Sequence, residues 1–170
     1  MSKIMVVEDD ASLREIYGIR ITAEGYDVVS AGDGEEALAV AVREKPDLIL
    51  SDVMMPKISG FDMLDILRST PETANIKVIM MTALSSEDQR QRGERLGADR
   101  YLVKSQVGIE DVINSIHEVL SDRQTPSVSR SDQSQLASAF KSQHSQAVSG
   151  VASFPQGPQV TPPNYQVNNG

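Results

Sequence analysis

The chain has 170 residues, 39% of them apolar and 24% charged, which suffices for one globular domain with a core but not for two large ones. Cysteine is absent, which excludes disulfides, thiolate zinc sites and thiol catalysis. The net charge is −8 and every acidic residue except Asp132 precedes residue 124, which argues against a broad basic nucleic-acid surface on the folded part.

Short apolar runs alternate with segments of helical periodicity in the first part of the chain. They predict five strands, each followed by a helix. The predicted strands are residues 3–8, 26–30, 48–52, 77–82 and 101–104. The predicted helices start near residues 10, 34, 60, 85 and 109, and they end near residues 25, 45, 71, 96 and 120. Asp10 or Ser12 can cap the first helix, and Asp10 is interpreted as a helix cap and not as a ligand.

This alternation predicts one α/β domain over residues 1–123. Short connections between the elements favour a doubly wound (βα)5 parallel sheet with right-handed crossovers. We expect the flavodoxin-like strand order 2-1-3-4-5, in which the switch point lies between strands one and three. The fourth helix is polar and contains Gly93, which costs about 1 kcal/mol relative to alanine, so we expect this helix to be the least firmly held.

The composition changes after Arg123 to Ser, Gln, Pro, Asn and Gly, which predicts a disordered tail over residues 124–170. The favoured interpretation of the tail is a solvated spacer. The alternative is that it contains short recognition motifs, at Phe154-Pro155 and at residues 161–165. No apolar stretch approaches the length of a membrane span, and Met1-Ser2-Lys3 leads directly into a predicted strand. We therefore expect a soluble, cytoplasmic protein.

Four of the five predicted strands end in polar side chains: Glu8-Asp9, Asp52, Thr82 and Lys104. In the expected strand order these side chains meet in one crevice. Two carboxylates 4 Å apart repel by roughly 4 kcal/mol at an effective dielectric near 20, so a cation is needed between them. Mg²⁺ suits such all-oxygen ligation and leaves room for a phosphoryl oxygen, with Asp52 as a nucleophile that forms an acyl phosphate.

Four segments in order resemble a response regulator receiver domain, over about residues 2–122. They are Val6-Val7-Glu8-Asp9-Asp10, residues 47–60, Met80-Met81-Thr82-Ala83 and residues 97–104. The resemblance implies that Asp52 accepts a phosphoryl group from the phosphohistidine of a histidine kinase. It also implies that Asp9 binds Mg²⁺ with Asp52 and the Met54 carbonyl, assisted by Glu8, and that Thr82 and Tyr101 form a switch pair. Lys104 and Thr82 would contact the phosphoryl oxygens.

The chain departs from the family pattern at three positions. Ser105 follows Lys104 where the family usually has proline, so we expect a trans Lys104-Ser105 bond and a slightly rearranged loop. Met54 and Leu84 are apolar at positions whose side chains flank the route of hydrolytic water in the family. Neither can orient water, which predicts a long-lived phosphoaspartate.

The leading hypothesis is a signalling switch, not a turnover enzyme, which presents an altered surface around the fourth helix, fifth strand and fifth helix. Its expected partners are a sensor histidine kinase or phosphotransfer protein and a downstream protein, without direct nucleic-acid or membrane contact, in a monomer or a phosphorylation-linked dimer. A Mg²⁺-dependent phosphohydrolase and a non-phosphorylated scaffold are the alternatives. Phosphate release from small phosphoesters would favour the phosphohydrolase. The scaffold would be favoured if Asp52→Asn left partner binding unchanged and the protein bound no Mg²⁺.

Overall fold

The computed structural model describes residues 1–122 of the chain. The predicted domain end at residue 123 and the predicted disordered tail at residues 124–170 lie outside the described residues. The two candidate recognition motifs in that tail lie outside them as well. Within the described part, strands and helices alternate as the hydrophobic periodicity predicts.

Five strands and five helices make up the described part. The strands are β1 (Lys3–Val7), β2 (Asp27–Ala31), β3 (Leu48–Asp52), β4 (Lys77–Thr82) and β5 (Arg100–Val103). The helices are α1 (Ala11–Ala23), α2 (Gly34–Glu44), α3 (Gly60–Ser69), α4 (Glu87–Arg95) and α5 (Ile109–Ser121). The bounds of β3 and β4 are those predicted. The bounds of β1, β2 and β5 differ by one residue, because pairing of β1 ends at Val7, pairing of β2 begins at Asp27 and pairing of β5 ends at Val103.

All neighbouring strands are parallel, in the order β2-β1-β3-β4-β5. This confirms the doubly wound flavodoxin-like fold. The order places β1 directly beside β3, so the residues that follow these two strands emerge side by side at the carboxyl edge of the sheet.

Successive residues of each strand face opposite sides of the sheet, so the sheet carries two separate apolar layers. On β1, Met5 and Val7 pack with α2 and α3, whereas Ile4 and Val6 pack with α1 and α5. Both faces of the central strands are therefore buried, which explains why their sequences are continuous apolar runs instead of alternating ones. The rigid sheet fixes the positions of the strand ends.

Side-chain caps start the first four helices. Asp10 accepts a hydrogen bond from the backbone N–H of Leu13, and Ser59 accepts one from Asp62. The interpretation of Asp10 as a helix cap is thus confirmed. Each cap satisfies an N–H group that the first helical turn leaves free, so the chain turns from strand to helix within a few residues.

Candidate functional site

Three carboxylates meet where β1 and β3 end. The register pairs Val7 with Ser51, so Glu8 comes next to Asp52. Glu8 is 1% exposed and Asp52 is 6% exposed, whereas Asp9 faces solvent. One carboxylate oxygen of each residue lies within 4.8 Å of the others. The structure thus brings together the acidic residues that the sequence placed at these strand ends.

The ammonium of Lys104 lies between the two buried carboxylates. It donates hydrogen bonds to Glu8 Oε2 and to Asp52 Oδ2, both at 2.8 Å. The backbone N–H of Lys104 donates to the Thr82 carbonyl at 2.7 Å, which holds the start of the following loop against β4. The Lys104-Ser105 bond is trans, as predicted, and the side chain still reaches across β4 to β3.

Burial and neighbouring charges both shift the pKa values of Glu8 and Lys104. Burial raises the pKa of Glu8, and the Asp52 charge raises it further, while the Lys104 hydrogen bond lowers it without cancelling the rise. Burial lowers the pKa of Lys104, but its hydrogen bonds and charge interactions with Asp52 and Glu8 outweigh burial and leave the pKa raised. Lys104 is therefore held as a cation against two carboxylates that would otherwise repel each other.

The donor set of the site suits a hard divalent cation. Glu8, Asp9 and Asp52 offer only carboxylate oxygens, with one exposed group that a hydrated ion can approach. Met54 donates its backbone N–H to Asp52 Oδ1 at 3.2 Å, so the chain directly after β3 stays close to the carboxylate. Ligation by the Met54 carbonyl remains a prediction.

The two residues proposed as a switch pair are connected through a third residue, Gln89 of α4. The Thr82 hydroxyl and the Tyr101 hydroxyl both donate to Gln89 Oε1, each at 3.4 Å. The Tyr101 ring lies parallel to that of Phe61, with centroids 6.4 Å apart and planes 3° apart. This contact places Tyr101 against α3 and α4, an orientation that the sequence left open.

Gly93 of α4 leaves room for two aromatic rings. A Cβ at this position would lie 3.1 Å from Cδ2 of Tyr101 and 3.4 Å from Cε1 of Phe61. The missing side chain therefore lets the Tyr101 ring pack against the helix, which corrects the purely destabilising role that propensity assigns to this glycine.

Two apolar side chains project into solvent from the loops beside the site. Met54 is 59% exposed after β3, and Leu84 is 55% exposed after β4. The Leu84 N–H donates to the Thr82 hydroxyl at 3.2 Å. Met54 and Leu84 therefore contact the site through their backbone N–H groups, and their side chains supply no acid or base.

Sequence reasoning missed two residues that support the site. Gln89 joins Thr82 to Tyr101, and Arg14 donates to the Glu8 carbonyl at 2.6 Å. The spacing of Gln89 and Gly93, four residues apart on one helical face, is the signal that could have indicated a shared contact. No comparable signal marks Arg14, because its partner is a backbone carbonyl.

Comparison with known proteins identifies the class. The family model described as Response regulator receiver domain matches residues 4–117. The chain belongs to this family: it contains the receiver domain of a two-component response regulator, which is a signalling domain.

Individual relatives agree with this assignment. The chain is 40% identical over 130 residues to "Probable transcriptional regulator ycf27" of Porphyridium aerugineum, covering 73% of this chain and 53% of that protein. It is 42% identical over 102 residues to the alkaline phosphatase synthesis transcriptional regulatory protein PhoP of Bacillus subtilis, covering 60% and 42% respectively. The chain therefore spans about half the length of these curated relatives or less.

The solved structure of the chemotaxis protein CheY4 of Vibrio cholerae is also similar. Its TM-score is 0.66 at 33% identity, covering 70% of this chain and 98% of that one. Among the described residues, no helix is both long and apolar enough to cross a membrane.

Proposed function

We propose that Asp52 accepts a phosphoryl group from a phosphohistidine of a sensor histidine kinase or a phosphotransfer protein. The observation that carries this proposal is the Lys104 ammonium, 2.8 Å from Asp52 Oδ2 and 2.8 Å from Glu8 Oε2. A fixed cation beside a buried carboxylate, next to an exposed carboxylate, is the arrangement that an incoming phosphoryl group needs.

The transfer requires only one bond exchange. A carboxylate oxygen of Asp52 attacks phosphorus, the phosphorus–nitrogen bond of phosphohistidine breaks, and its electron pair returns to the imidazole, which takes up a proton from solvent. Lys104 then stands beside Asp52 as a point charge for a phosphoryl oxygen. Glu8, Asp9, Asp52 and the Met54 carbonyl would hold Mg²⁺, whose charge offsets that of the phosphoryl oxygens when bound.

Phosphorylation is proposed to act through Thr82 and Tyr101. A phosphoryl oxygen on Asp52 offers the Thr82 hydroxyl a charged acceptor, which forms a stronger hydrogen bond than the neutral amide of Gln89. Movement of Thr82 then changes the surface around α4, β5 and α5, where a downstream protein binds. This is a population shift driven by contacts that only the phosphorylated state offers.

The phosphoaspartate is expected to persist. Met54 and Leu84 flank the site with apolar, exposed side chains that cannot orient a water molecule for attack. After loading with acetyl phosphate, the lifetime is measured by following loss of the label at neutral pH. A lifetime of only seconds would contradict this part of the proposal.

Labelling tests the central step. Wild type is incubated with labelled acetyl phosphate or with a loaded kinase, with and without Mg²⁺, beside Asp52→Asn and the control Asp62→Asn, an exposed carboxylate at the start of α3. We expect Mg²⁺-dependent label in wild type and in Asp62→Asn, and none in Asp52→Asn. Label retained by Asp52→Asn, or its absence from wild type, would refute the proposal. Steady phosphate release from small phosphoesters would favour a phosphohydrolase instead.

A further inference from the structure

One amide oxygen in α4 accepts two hydroxyl protons. Gln89 Oε1 lies 3.4 Å from the Thr82 hydroxyl and 3.4 Å from the Tyr101 hydroxyl. Thr82 is fully buried at the end of β4, and Tyr101 is half-buried on β5. Gln89 thus connects two strands of the sheet to the helix that covers their ends.

The local structure of α4 favours this position of Gln89. Ser86 caps the helix by accepting from the Gln89 backbone N–H, which fixes the first turn. Gly93, one turn further on the same face, leaves room for the Tyr101 ring, with only 3.1 Å between Tyr101 Cδ2 and the place where a Cβ would be. The ring therefore packs close enough to the helix for its hydroxyl to reach Gln89.

The hydroxyl protons limit what the two residues can do. A threonine hydroxyl has one proton to donate, and in this structure Thr82 donates it to Gln89 while accepting from the Leu84 N–H. Thr82 cannot donate to a phosphoryl oxygen on Asp52 until it leaves Gln89. Release of Thr82 leaves Gln89 Oε1 to Tyr101 alone, so a change at one hydroxyl alters the environment of the other.

We infer that Gln89 is a positioning residue that holds Thr82 and Tyr101 in the non-phosphorylated arrangement and couples the movement of one to the other. The inference rests on the proposed phosphorylation of Asp52. Gln89 does not touch the reacting atoms; it acts on them through the Thr82 proton. Part of the favourable interaction between Thr82 and the phosphoryl group is therefore offset by the cost of breaking the Thr82–Gln89 hydrogen bond.

The strength of this restraint suits a switch. A distance of 3.4 Å is long for a hydrogen bond between a hydroxyl group and an oxygen, so each contact is weak. The net stabilisation from one weak neutral hydrogen bond corresponds to about a two- to fivefold change in an equilibrium constant. A charged phosphoryl oxygen can therefore displace Gln89 without a large cost.

Beryllofluoride with Mg²⁺, a mimic of the phosphoryl group on Asp52, provides the test. Gln89→Met removes the acceptor and keeps the side-chain length, so we expect about two- to fivefold tighter beryllofluoride binding. The Tyr101 ring resonances in the unliganded protein should shift as well. The matched control is Gln91→Met on the same helix, since Gln91 bonds to Glu87 and should leave affinity unchanged.

The Thr82→Ala background separates positioning from a general effect on α4. Without the hydroxyl, Gln89→Met should no longer change the affinity. Gln89→Glu gives the opposite sign, because a carboxylate only accepts and binds hydroxyl protons more strongly, so affinity should fall. In the Thr82→Ala background this decrease should vanish too. A decrease caused only by repulsion between the introduced carboxylate and the beryllofluoride anion would persist in that background.

Each result bears on the inference. Equal affinities for wild type, Gln89→Met and Gln91→Met would overturn it, as would a gain that survives in the Thr82→Ala background. If wild type binds beryllofluoride only as weakly as Asp52→Asn, the proposed phosphorylation fails and the inference fails with it. If wild type binds and only the Gln89 variants behave unexpectedly, the phosphorylation site stands and the role of Gln89 does not.

Discussion

Glu8 is a carboxylate that is almost fully buried, and its oxygens face Lys104 and lie close to Asp52. Its pKa is raised by burial first and then by the Asp52 charge. A carboxyl whose folded pKa lies above its ordinary value contributes most to stability below that ordinary value, and the contribution is lost as the pH rises through the folded pKa. At neutral pH, the charge on Glu8 therefore costs stability.

The substitution Glu8→Gln should consequently stabilise the metal-free protein at pH 7. We expect the free energy of unfolding, measured by urea denaturation, to rise by about 0.5–1 kcal/mol, because removal of a buried charge outweighs the loss of one acceptor oxygen for the Asp10 N–H or for Lys104. Lys104 keeps Asp52 as a partner. Glu15→Gln, at an exposed carboxylate of α1, should leave stability unchanged. Loss of stability in Glu8→Gln would show that Lys104 needs both carboxylates.

At the scale of single elements, α3 begins directly behind Asp52, the proposed phosphoryl acceptor. A Cβ added to Gly60 would lie 2.3 Å from the Asp52 carbonyl oxygen and 3.0 Å from Cα of Val53. The Gly60 N–H also donates to the Val53 carbonyl at 2.9 Å. The start of α3 is therefore pressed against the end of β3, with backbone on both sides of the contact.

Gly60→Ala should accordingly destabilise the fold by about 2–3 kcal/mol and reduce labelling of Asp52, because backbone atoms cannot move aside as a flexible side chain would. Gly18→Ala is the matched control within α1, where a Cβ would meet only Val28 Cγ1 at 3.9 Å. There, helix propensity should dominate and raise stability by about 0.5–1 kcal/mol. Urea denaturation measures both changes; equal effects of the two substitutions would contradict this steric account.

The sequence predicts elements best where local signals agree. Strands β3 and β4 are short apolar runs bounded by turn residues, and their predicted bounds match the structure. Helix α4 shows the limit, since the sequence indicates Gly93 as a cost, and its spacing from Gln89 does not identify Tyr101 as the residue that packs there. Such a contact depends on how a helix lies against a distant strand, which residue patterns within the helix do not encode.

For the whole molecule, topology accounts for most of the site. Strand order alone brings Glu8 and Asp52 together, because β1 and β3 are neighbours. It also predicts Lys104 in the same crevice, but not its hydrogen bonds to both Glu8 and Asp52, because β5 lies two positions from β3 and contact depends on the long lysine side chain. Nor does it reveal Gln89, whose role depends on the packing of α4 over the strand ends. The candidate ligands were thus predictable, and the connections between them were not.

The proposed ion site joins segments that are far apart in the chain, so Mg²⁺ should stabilise the folded state as a whole. Glu8 and Asp9 follow β1, whereas Asp52 ends β3, and the unfolded chain does not hold them within 4.8 Å of one another. A ligand at ten times its Kd that binds only the folded form adds about 1.4 kcal/mol to the free energy of unfolding. This should raise Tm by several degrees, as measured by thermal denaturation followed by circular dichroism.

The control must separate ion binding from screening, because a chain of net charge −8 gains stability from any added cation. Sodium chloride at matched ionic strength supplies the screening term. Asp9→Asn removes one exposed carboxylate without disturbing the core. The variant should keep the increase in Tm that screening gives and lose most of the additional increase that Mg²⁺ gives. An equal increase in wild type and Asp9→Asn would place the ion elsewhere on the acidic surface, away from the carboxylates at the ends of β1 and β3.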